Sequence, residues 1–418
     1  MSSVVPEGWR ARLFGDLAKV INGYAFKGSD FVEKSETSVP IIRMSSLKAG
    51  TIDLSDAVYV AKNNVKGLEK FLLNSGDFVF GMSGSISNFA IIKEKDGICY
   101  QNQRVGRLSP INASSGFLSQ LFLSESVSQQ IEGLAAGGAQ LNISSSQIEN
   151  LNILSPPLPE QKKIASILTS VDEMIENTQK QIDKLQDLKK ATMNELLTKG
   201  IGHTEFKDSE LGRIPKSWEV LEAKQIFEFK NGLNKEKEAF GSGQKIVNYM
   251  DVFSEPEVDI GKVQGRVQLN ESERSRFKVL SGDLFFTRTS ETPEEIGLSS
   301  VVVSNTEEVC FSGFILRARP TTDVLYAPLS GYLFRSNYVR NQIIGTCSYT
   351  TRALTNGNSL GRVRIAIPPN SEQEVIYKTI KSIVDRVVEL SKHNEKYKSL
   401  KKSLMQDLLT GKVRVTVN

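Results

Sequence analysis

The residue types that most often perform catalysis or hold metal ions are scarce in this chain. The two histidines, His203 and His393, have no second histidine nearby in the sequence. The chain therefore has too few histidines to favour a histidine-based metal site or a Ser-His-Asp triad. The three cysteines, Cys99, Cys310 and Cys347, form no Cys-x-x-Cys pair. This spacing predicts free thiols in a reducing cytoplasm rather than disulfides or a zinc ribbon.

Composition narrows the class of protein further. The 418 residues, of which 39% are hydrophobic and 24% charged, are enough for two globular domains. No uncharged apolar run approaches the roughly 18 residues of a membrane span, and the N-terminus lacks the apolar segment of a secretory signal. We therefore expect a cytoplasmic protein. The formal net charge of +4 permits an anionic partner without requiring one.

The positioning elements are encoded twice, because the chain contains an internal duplication. Four residues near the start of each half recur at an offset of 209 positions: Pro6, Trp9, Asn22 and Gly23 match Pro215, Trp218, Asn231 and Gly232. A Ser-Gly-Asp motif recurs at an offset of 206, as Ser75-Gly76-Asp77 and Ser281-Gly282-Asp283. Residues 153–198 then match residues 365–410 without a gap at an offset of 212. So many matches establish the repeat.

Each copy has the same internal order. Short β-type runs broken by Gly, Ser and Asn lead to a Pro-Pro stop, and a long helical pattern follows with a glycine after its end. The predicted segments are a globular domain over 1–158, a helix over 159–200, a linker over 201–214, a second domain over 215–370, and a second helix with the C-terminal tail over 371–418.

The two helices carry apolar residues at alternating spacings of three and four, as in a coiled coil. Eleven positions form the predicted seam: Ile164, Val171, Ile182, Leu185, Leu196, Ile380, Ile383, Val387, Leu390, Leu404 and Leu408. Residues 160–200 contain seven Lys against seven Asp or Glu. Because a basic DNA-binding helix would be far more lopsided, the helices are interpreted as a spacer.

Packing of these helices would fix the geometry of the molecule. At about 1.5 Å per residue each spans on the order of 55–60 Å, too long to be buried within one domain. The predicted fold is therefore α/β (α+β), with two similar globular domains joined by two long antiparallel coiled-coil helices and pseudo-two-fold symmetry. Such a body can place one domain on each half of a split DNA site, since duplex DNA has two-fold axes of its own. Other ligands remain compatible with the same repeat.

With these motifs in view, the whole chain resembles the specificity subunits of type I restriction–modification systems. Members of that family alternate two target-recognition domains with two conserved helices, and the helices open with Pro-Pro-x-x-Glu-Gln. This sequence has Pro156-Pro157-Leu158-Pro159-Glu160-Gln161 and, less perfectly, Pro368-Pro369-Asn370-Ser371-Glu372-Gln373. The Pro-x-x-Trp start with its Asn-Gly turn and the Gly-Asp strand entries occur in both copies.

The resemblance implies a non-catalytic subunit that recognises an asymmetric bipartite sequence in double-stranded DNA. Its expected partners are two modification subunits, which bind S-adenosylmethionine and methylate adenine, and restriction subunits, which use ATP and Mg²⁺. No cofactor is expected in this chain. It has no G-x-x-x-x-G-K-[ST] loop, and its Pro-Pro segments lack the aromatic residue of an amino-methyltransferase loop. Two alternatives remain open: an enzyme with its own active site, and a coiled-coil adaptor that binds only protein.

Candidate DNA contacts are polar residues at predicted strand ends and in loops, where donors can reach base edges and phosphates. Those of the first domain are Asn22, Arg43, Ser83, Ser85, Arg104, Gln140 and Asn142, and those of the second are Asn231, Asn248, Tyr249, Arg288, Arg317, Arg352 and Asn356. Each also fits an ordinary solvated or turn-capping side chain. Arg288 and Arg352 are favoured because each lies in a hydroxyl-rich segment.

Overall fold

The computed structural model describes residues 5–55, 57–83, 88–134, 142–304, 308–349 and 351–417. The chain divides into two compact units. The first unit comprises Met1–Gln179 and Lys392–Asn418, and the second comprises Lys180–Ser391. Each unit therefore consists of one globular domain, one half of the first long helix and one half of the second.

The first unit combines small sheets with helices that cover them. Its elements are β1 (Arg10–Leu13), β2 (Ala18–Asn22), β3 (Phe31–Val32), β4 (Ser38–Ile42), β5 (Leu47–Lys48), β6 (Thr51–Ile52), β7 (Val58–Ala61), β8 (Leu72–Leu73), β9 (Phe78–Gly81), β10 (Phe89–Ile91), β11 (Cys99–Gln101), β12 (Val105–Pro110), α1 (Ser115–Phe122), α2 (Glu125–Leu134), α3 (Ser145–Glu149), β13 (Asn152–Ser155) and the long helix α4 (Leu158–Lys199). The main sheets have the orders β10-β9-β12-β2 and β3-β7-β4-β11-β8, and β1 pairs with β13.

The second unit repeats this plan with additions. Its elements are β14 (Phe206–Ser209), β15 (Gly212–Pro215), β16 (Glu219–Glu222), β17 (Phe227–Asn231), β18 (Phe240–Val247), α5 (Tyr249–Phe253), β19 (Glu257–Val258), β20 (Arg266–Val267), α6 (Glu271–Arg276), β21 (Leu284–Thr287), β22 (Thr289–Ser290), β23 (Ser299–Val302), β24 (Val309–Phe311), β25 (Ile315–Pro320), α7 (Ala327–Leu333), α8 (Asn337–Thr346), β26 (Ser348–Tyr349), β27 (Ala353–Leu354), α9 (Gly357–Gly361), β28 (Arg364–Ile367) and the long helix α10 (Asn370–Leu408). The order β17-β25-β21-β23 reproduces β2-β12-β9-β10, and β19 adds an edge strand.

The long helices pair antiparallel inside each unit. In the first unit, Lys401 Nζ lies 2.6 Å from Asp172 Oδ1, and Asn394 Nδ2 donates to Gln179 Oε1 at 3.0 Å, so the numbering rises along α4 as it falls along α10. In the second unit, Leu197 near the end of α4 shares a core with Ile376 near the start of α10. The predicted α+β fold, with two related domains and two paired helices, is confirmed.

The helix ends do more than pair with each other, because they also complete the domain cores. Ile164 and Leu168 of α4 and Leu408 of α10 are buried in the core of the first unit, together with Phe117 and Phe122 of α1. In the second unit Leu197 and Ile380 belong to the core that contains Trp218 and Phe286. The apolar stripe of each helix was expected to pack against the other helix. In the structure it packs against the domain cores as well.

The repeated Pro-Pro and Glu-Gln motif makes the junction between domain and helix. In the second unit the Glu372 carboxylate accepts from Trp218 Nε1 at 3.0 Å, from the Ile201 amide at 2.8 Å, and bonds His203 Nε2 at 2.8 Å. In the first unit Glu160 accepts from Trp9 Nε1 at 3.2 Å. Each matched tryptophan is thereby tied to the glutamate that opens the following helix.

The glutamine of the same motif satisfies backbone groups. Gln161 Oε1 accepts from the Ser114 amide at 3.0 Å, and Gln373 Oε1 accepts from the Tyr326 amide at 2.7 Å. Ser114 and Tyr326 are the N-cap residues of α1 and α7. Because the first amides of a helix have no partner within the helix, the motif links two helices in each unit.

The Ser-Gly-Asp motif is a tight turn closed by an ion pair. Gly76 and Gly282 have φ of 89° and 90°, a conformation that favours glycine. The following aspartates pair with arginines of the neighbouring strand: Asp77 with Arg107 Nη1 at 3.0 Å, and Asp283 with Arg319 Nη2 at 2.7 Å. The duplicated sequence motif thus encodes a duplicated link between strands.

Candidate DNA interface

A groove of about 670 Å³ lies on the second unit at the ends of its main strands. It is lined by Lys224, Phe229, Lys230, Asn231, Arg288, Leu316, Asn356, Gly357, Asn358, Gly361 and Arg362. Three predicted contact residues, Asn231, Arg288 and Asn356, are therefore brought together from segments far apart in the sequence.

Sheet register decides which residues meet in the groove. Asn231, the last residue of β17, lies opposite Leu316 of β25, and Leu316 lies opposite Phe286 of β21. Arg288 follows the end of β21, and its carbonyl accepts from the Thr355 amide at 3.1 Å. That bond places Asn356 and the start of α9 beside the strand ends.

The side chains lining the groove are cationic and amide-bearing. The cationic residues Lys224, Lys230, Arg288 and Arg362 line the groove, and no Asp or Glu occurs among its described lining residues. The Lys230 ammonium itself donates to the Arg276 carbonyl at 2.9 Å, on the strand face that Lys230 shares with Arg317. Lys224 is paired with Glu222 at 2.6 Å, outside the groove. Removal of Lys230 from water, together with the charge of Arg317, lowers the pKa of Lys230. A concave surface of this kind attracts an anion.

Amides in the groove are held at defined positions. Asn356 N-caps α9, with its Oδ1 accepting from the Ser359 amide at 3.0 Å, so its Nδ2 group is left to face a ligand. Asn231 and Asn358 are exposed. Gly361 packs closely against Lys224, since an added Cβ would lie 3.2 Å from Lys224 Cβ, closer than an ordinary van der Waals contact.

Other predicted contacts of the second unit lie elsewhere. Arg352 is exposed in the turn between β26 and β27. Asn248 is the half-buried N-cap of α5, and Tyr249 stacks on Phe253 with ring centroids 5.6 Å apart. Arg317 is a correction: it is 3% exposed, with its guanidinium over the Phe311 ring, so it does not present a donor to solvent.

The first unit gathers its candidates at the end of β9, the counterpart of β21. Arg104 is exposed in the turn between β11 and β12, and its carbonyl accepts from the Met82 amide at 3.0 Å. Exposed Asn142 forms a bridge with Ser83. Ser83 is only 4% exposed, with Oγ 3.0 Å from Met44 Sδ, so it too was wrongly expected at the surface.

The remaining candidates of the first unit have mixed positions. Asn22 is exposed at the end of β2, and half-buried Arg43 precedes a 3₁₀ turn at Met44–Ser46. Ser85 and Gln140 lie outside the residues that the structure describes.

The place that corresponds to the basic groove differs in chemistry in the first unit. By the repeat offsets, Gly15 stands where the second unit has Lys224, and Glu149 stands where it has Gly361. Glu149 accepts from the Val20 amide at 2.9 Å and pairs with Lys19 at 3.1 Å. A Cβ at Gly15 would come within 2.9 Å of Glu149 Cβ. In the first unit the small residue, Gly15, takes the position of Lys224, and the large residue, Glu149, takes the position of Gly361. The charged group at this place is therefore a carboxylate in the first unit and an ammonium in the second.

The eleven predicted seam residues all lie on buried or half-buried faces. Those that are buried are Ile164, Val171, Ile182, Ile380, Leu390 and Leu408, and those that are half-buried are Leu185, Leu196, Ile383, Val387 and Leu404. The stripe seen in the sequence is thus the inward stripe of the helices.

Sequence reasoning missed Lys224, Lys230, Asn358 and Arg362 as groove residues. Two had a local signal: Lys230 precedes the repeated Asn-Gly turn, and Asn358 belongs to the amide-rich run 356–358. Nothing in the local sequence distinguished Lys224 or Arg362 from other surface cations. Only the register of the sheet brings them to the same groove.

The described residues give little support for a metal site, a membrane-spanning helix or a reactive thiol. Within it, no cluster of three or more His, Cys, Asp or Glu residues could hold a metal ion. Among the described residues, no helix has the length and apolar character needed to cross a bilayer. Burial raises the pKa of the Cys99 and Cys310 thiols to about 12, which makes them poor nucleophiles.

Comparison with known proteins finds relatives over nearly the whole length of the chain. Residues 6–187 match the type I restriction modification DNA specificity domain. A putative type I restriction enzyme MjaX specificity subunit from Methanocaldococcus jannaschii is 28% identical, covering 98% of this chain and 95% of that protein. The EcoKI specificity subunit of Escherichia coli K12 is 25% identical, covering 91% and 82%.

The fold agrees with that of a solved member. The crystal structure of the type I restriction–modification S subunit from M. genitalium matches with a TM-score of 0.61 and 15% identity, over 100% of this chain and 98% of that one. The duplicated domain, the paired helices and the matched relatives over nearly the whole length together lead to one conclusion. The chain is similar over nearly its whole length to specificity subunits of type I restriction enzymes, and residues 6–187 match the type I restriction modification DNA specificity domain.

Proposed function

We propose that this chain recognises an asymmetric bipartite sequence in double-stranded DNA, one half-site for each unit, and is itself non-catalytic. In this proposal it holds two modification subunits, which bind S-adenosylmethionine and methylate adenine, and restriction subunits, which use ATP and Mg²⁺. The observation that carries the proposal is the groove of the second unit, where two arginines and three asparagines lie together without a carboxylate among the lining residues.

These residue types suit duplex DNA. Lysine and arginine bind phosphates, arginine can bind guanine with two hydrogen bonds, and asparagine can do the same with adenine. Arg288 is the strongest candidate for a base contact. It is half-buried, and its guanidinium donates a long hydrogen bond of 3.4 Å to the Gly313 carbonyl, which a better acceptor on DNA could replace.

Recognition of two different half-sites is supported by divergence at matched positions. Met82 directly follows β9 in the first unit, and Arg288 directly follows the equivalent strand β21 in the second. The side chains differ, although both backbone amides donate to a carbonyl of the neighbouring turn. Gly15 and Glu149 likewise replace Lys224 and Gly361. Since the frame repeats while the side chains differ, the two units are expected to prefer different bases.

A scaffold role for the helices is supported by exposed apolar side chains at matched positions. Leu188 on α4 is 50% exposed and Leu400 on α10 is 47% exposed, at the repeat offset of 212. Solvated leucines at equivalent sites favour one partner contact on each helix. The proposed partners are the two modification subunits.

The DNA proposal is tested on the full chain assembled with its modification subunits. Methylation mapping in cells that express both proteins gives the target, and a short duplex carrying it is then used for binding at several salt concentrations. Arg288→Ala is expected to cost about 1–3 kcal/mol and to relax base preference in one half-site only. Arg362→Ala is expected to weaken binding to all sequences and to reduce the salt slope by about one.

The matched control is Arg213→Ala. Arg213 is exposed in β15, over the Phe206 ring and outside the groove, and its loss is expected to leave binding unchanged. Failure of the unaltered complex to bind any duplex would favour the protein-only adaptor. Methylation or cleavage of DNA by the chain alone would favour the enzyme.

A further inference from the structure

Phe314 is the most exposed large apolar side chain in the described part of the chain, at 66%. It lies in the turn between β24 and β25, at Ser312–Phe314. A solvated aromatic ring gains nothing from the core of its own domain. Its position is therefore better explained by a contact outside the chain.

The turn that carries Phe314 is rigidly held. The Ser312 amide donates to the Val247 carbonyl at 2.9 Å, and the Gly313 amide donates to the Leu233 carbonyl at 2.7 Å. A Cβ at Gly313 would collide with the side chain of Asn234, so the turn requires glycine there. Because the backbone is fixed on both sides, the ring is presented in a defined place rather than on a loose loop.

The same turn borders the basic groove. The Arg288 amide donates to the Phe314 carbonyl at 3.2 Å, and Arg288 Nη1 donates to the Gly313 carbonyl at 3.4 Å. Two residues beyond Phe314, Leu316 lines the groove itself. The exposed ring thus stands next to cations suited to phosphates, a combination typical of surfaces that bind nucleic acid.

The first unit presents a different side chain on the equivalent turn. The Met82 amide donates to the Arg104 carbonyl just as the Arg288 amide donates to that of Phe314. Arg104 is exposed, as Phe314 is. The backbone arrangement is kept, while a guanidinium in one copy is replaced by an aromatic ring in the other. A turn of constant shape with a variable exposed residue is what a position that determines specificity requires.

We infer that Phe314 inserts its ring at a base step of the half-site recognised by the second unit, where it stacks on a base. This inference rests on the proposed function. Apolar wedges that enter a duplex separate neighbouring bases, and stacking on an aromatic ring compensates for the lost base stacking. Phe314 then contributes to both affinity and base-step preference, whereas the cations beside it bind the phosphates.

The test uses the complete complex with modification subunits and the duplex found by methylation mapping. 2-Aminopurine replaces each adenine of the half-site in turn, and its fluorescence reports local unstacking. Phe314→Ala is expected to weaken binding by about 5- to 150-fold, the range typical of one stacked base. The fluorescence increase seen with the unaltered complex should disappear, while the salt slope stays the same because no phosphate contact is lost.

Conservative variants separate stacking from apolar volume. Phe314→Trp is expected to retain binding, whereas Phe314→Leu keeps an apolar wedge that cannot stack on a base and should bind more weakly. Ile98→Ala is the control for losing an exposed apolar group: Ile98 is 63% exposed but belongs to the first unit, so it is not expected to contact the half-site of the second unit. Its loss should change neither measurement.

The outcomes are distinguishable. If the unaltered complex binds its duplex and Phe314→Ala binds equally well, the inference is wrong while the proposed function stands. If Phe314→Ala instead impairs assembly with the modification subunits, the ring contacts protein and the inference is also overturned. If the unaltered complex binds no duplex, both fail.

Discussion

The duplicated Ser-Gly-Asp turn gives a stability prediction with its own internal control. Asp283 accepts from Arg319 Nε at 2.8 Å, from Arg319 Nη2 at 2.7 Å and from the Leu280 amide at 2.7 Å, and its side chain is 1% exposed. Asp77 accepts from Arg107 Nη1 at 3.0 Å and from the Asn74 amide at 2.9 Å, and its side chain is 23% exposed. Both positions are to be changed to alanine in separate variants.

The expected costs differ because the two ion pairs differ in burial and in number of bonds. Removing one partner of a buried ion pair costs about 3–5 kcal/mol. Because Arg319 is 27% exposed and can be rehydrated, we place Asp283→Ala at the lower end, about 3 kcal/mol. Asp77 loses one bond from an arginine and one from a backbone amide at a partly solvated site, so Asp77→Ala is expected to cost about 2 kcal/mol.

Urea unfolding of the full chain measures the difference. Trp9 lies in the core of the first unit and Trp218 in that of the second, and the chain has no other tryptophan. Single-tryptophan backgrounds therefore report each unit separately, and each variant is compared with its own background. Equal losses in the two units, or a larger loss for Asp77→Ala, would refute the reasoning from burial.

Two further predictions concern buried polar groups. Asn394 is 2% exposed, and its Oδ1 has no hydrogen-bond partner among the described residues. Asn394→Leu is therefore expected to raise the free energy of unfolding, measured with urea, by about 1 kcal/mol. A decrease would show that the bond to Gln179 matters more than the unsatisfied oxygen. Burial raises the pKa of the Cys99 and Cys310 thiols to about 12, so iodoacetamide at pH 8 should leave both unmodified in the folded chain and label them after unfolding; mass spectrometry of peptides checks this, and rapid labelling in the folded state would contradict it.

The architecture was predictable because its signals are local and occur twice. A Pro-Pro stop, a Glu-Gln start and a glycine after the last turn act within a few residues. They predicted a helix over 159–200 and a second helix within 371–418, which the structure places at Leu158–Lys199 and Asn370–Leu408. Repetition of the motifs then established two related domains without any knowledge of contacts. The partners of the motif, such as Trp218 for Glu372, were not predictable, because they come from residues more than a hundred positions away.

The groove depended on tertiary structure. Sequence patterns mark strand ends as exposed, but they do not say which face of a strand a residue occupies. Arg317 was expected at the surface and is buried over Phe311, whereas the preceding residue, Leu316, faces the groove. A shift of one residue in sheet register would exchange the two faces.

The sequence by itself therefore determined the duplication, the two long helices and the resemblance to specificity subunits, because these depend on short-range periodicity and on motifs that recur at constant offsets. Only the tertiary structure decided that Lys224, Arg288 and Arg362 share one groove and that Phe314 stands beside it. The physical reason is that such surfaces are assembled by hydrogen-bond register between distant strands, which no local pattern specifies.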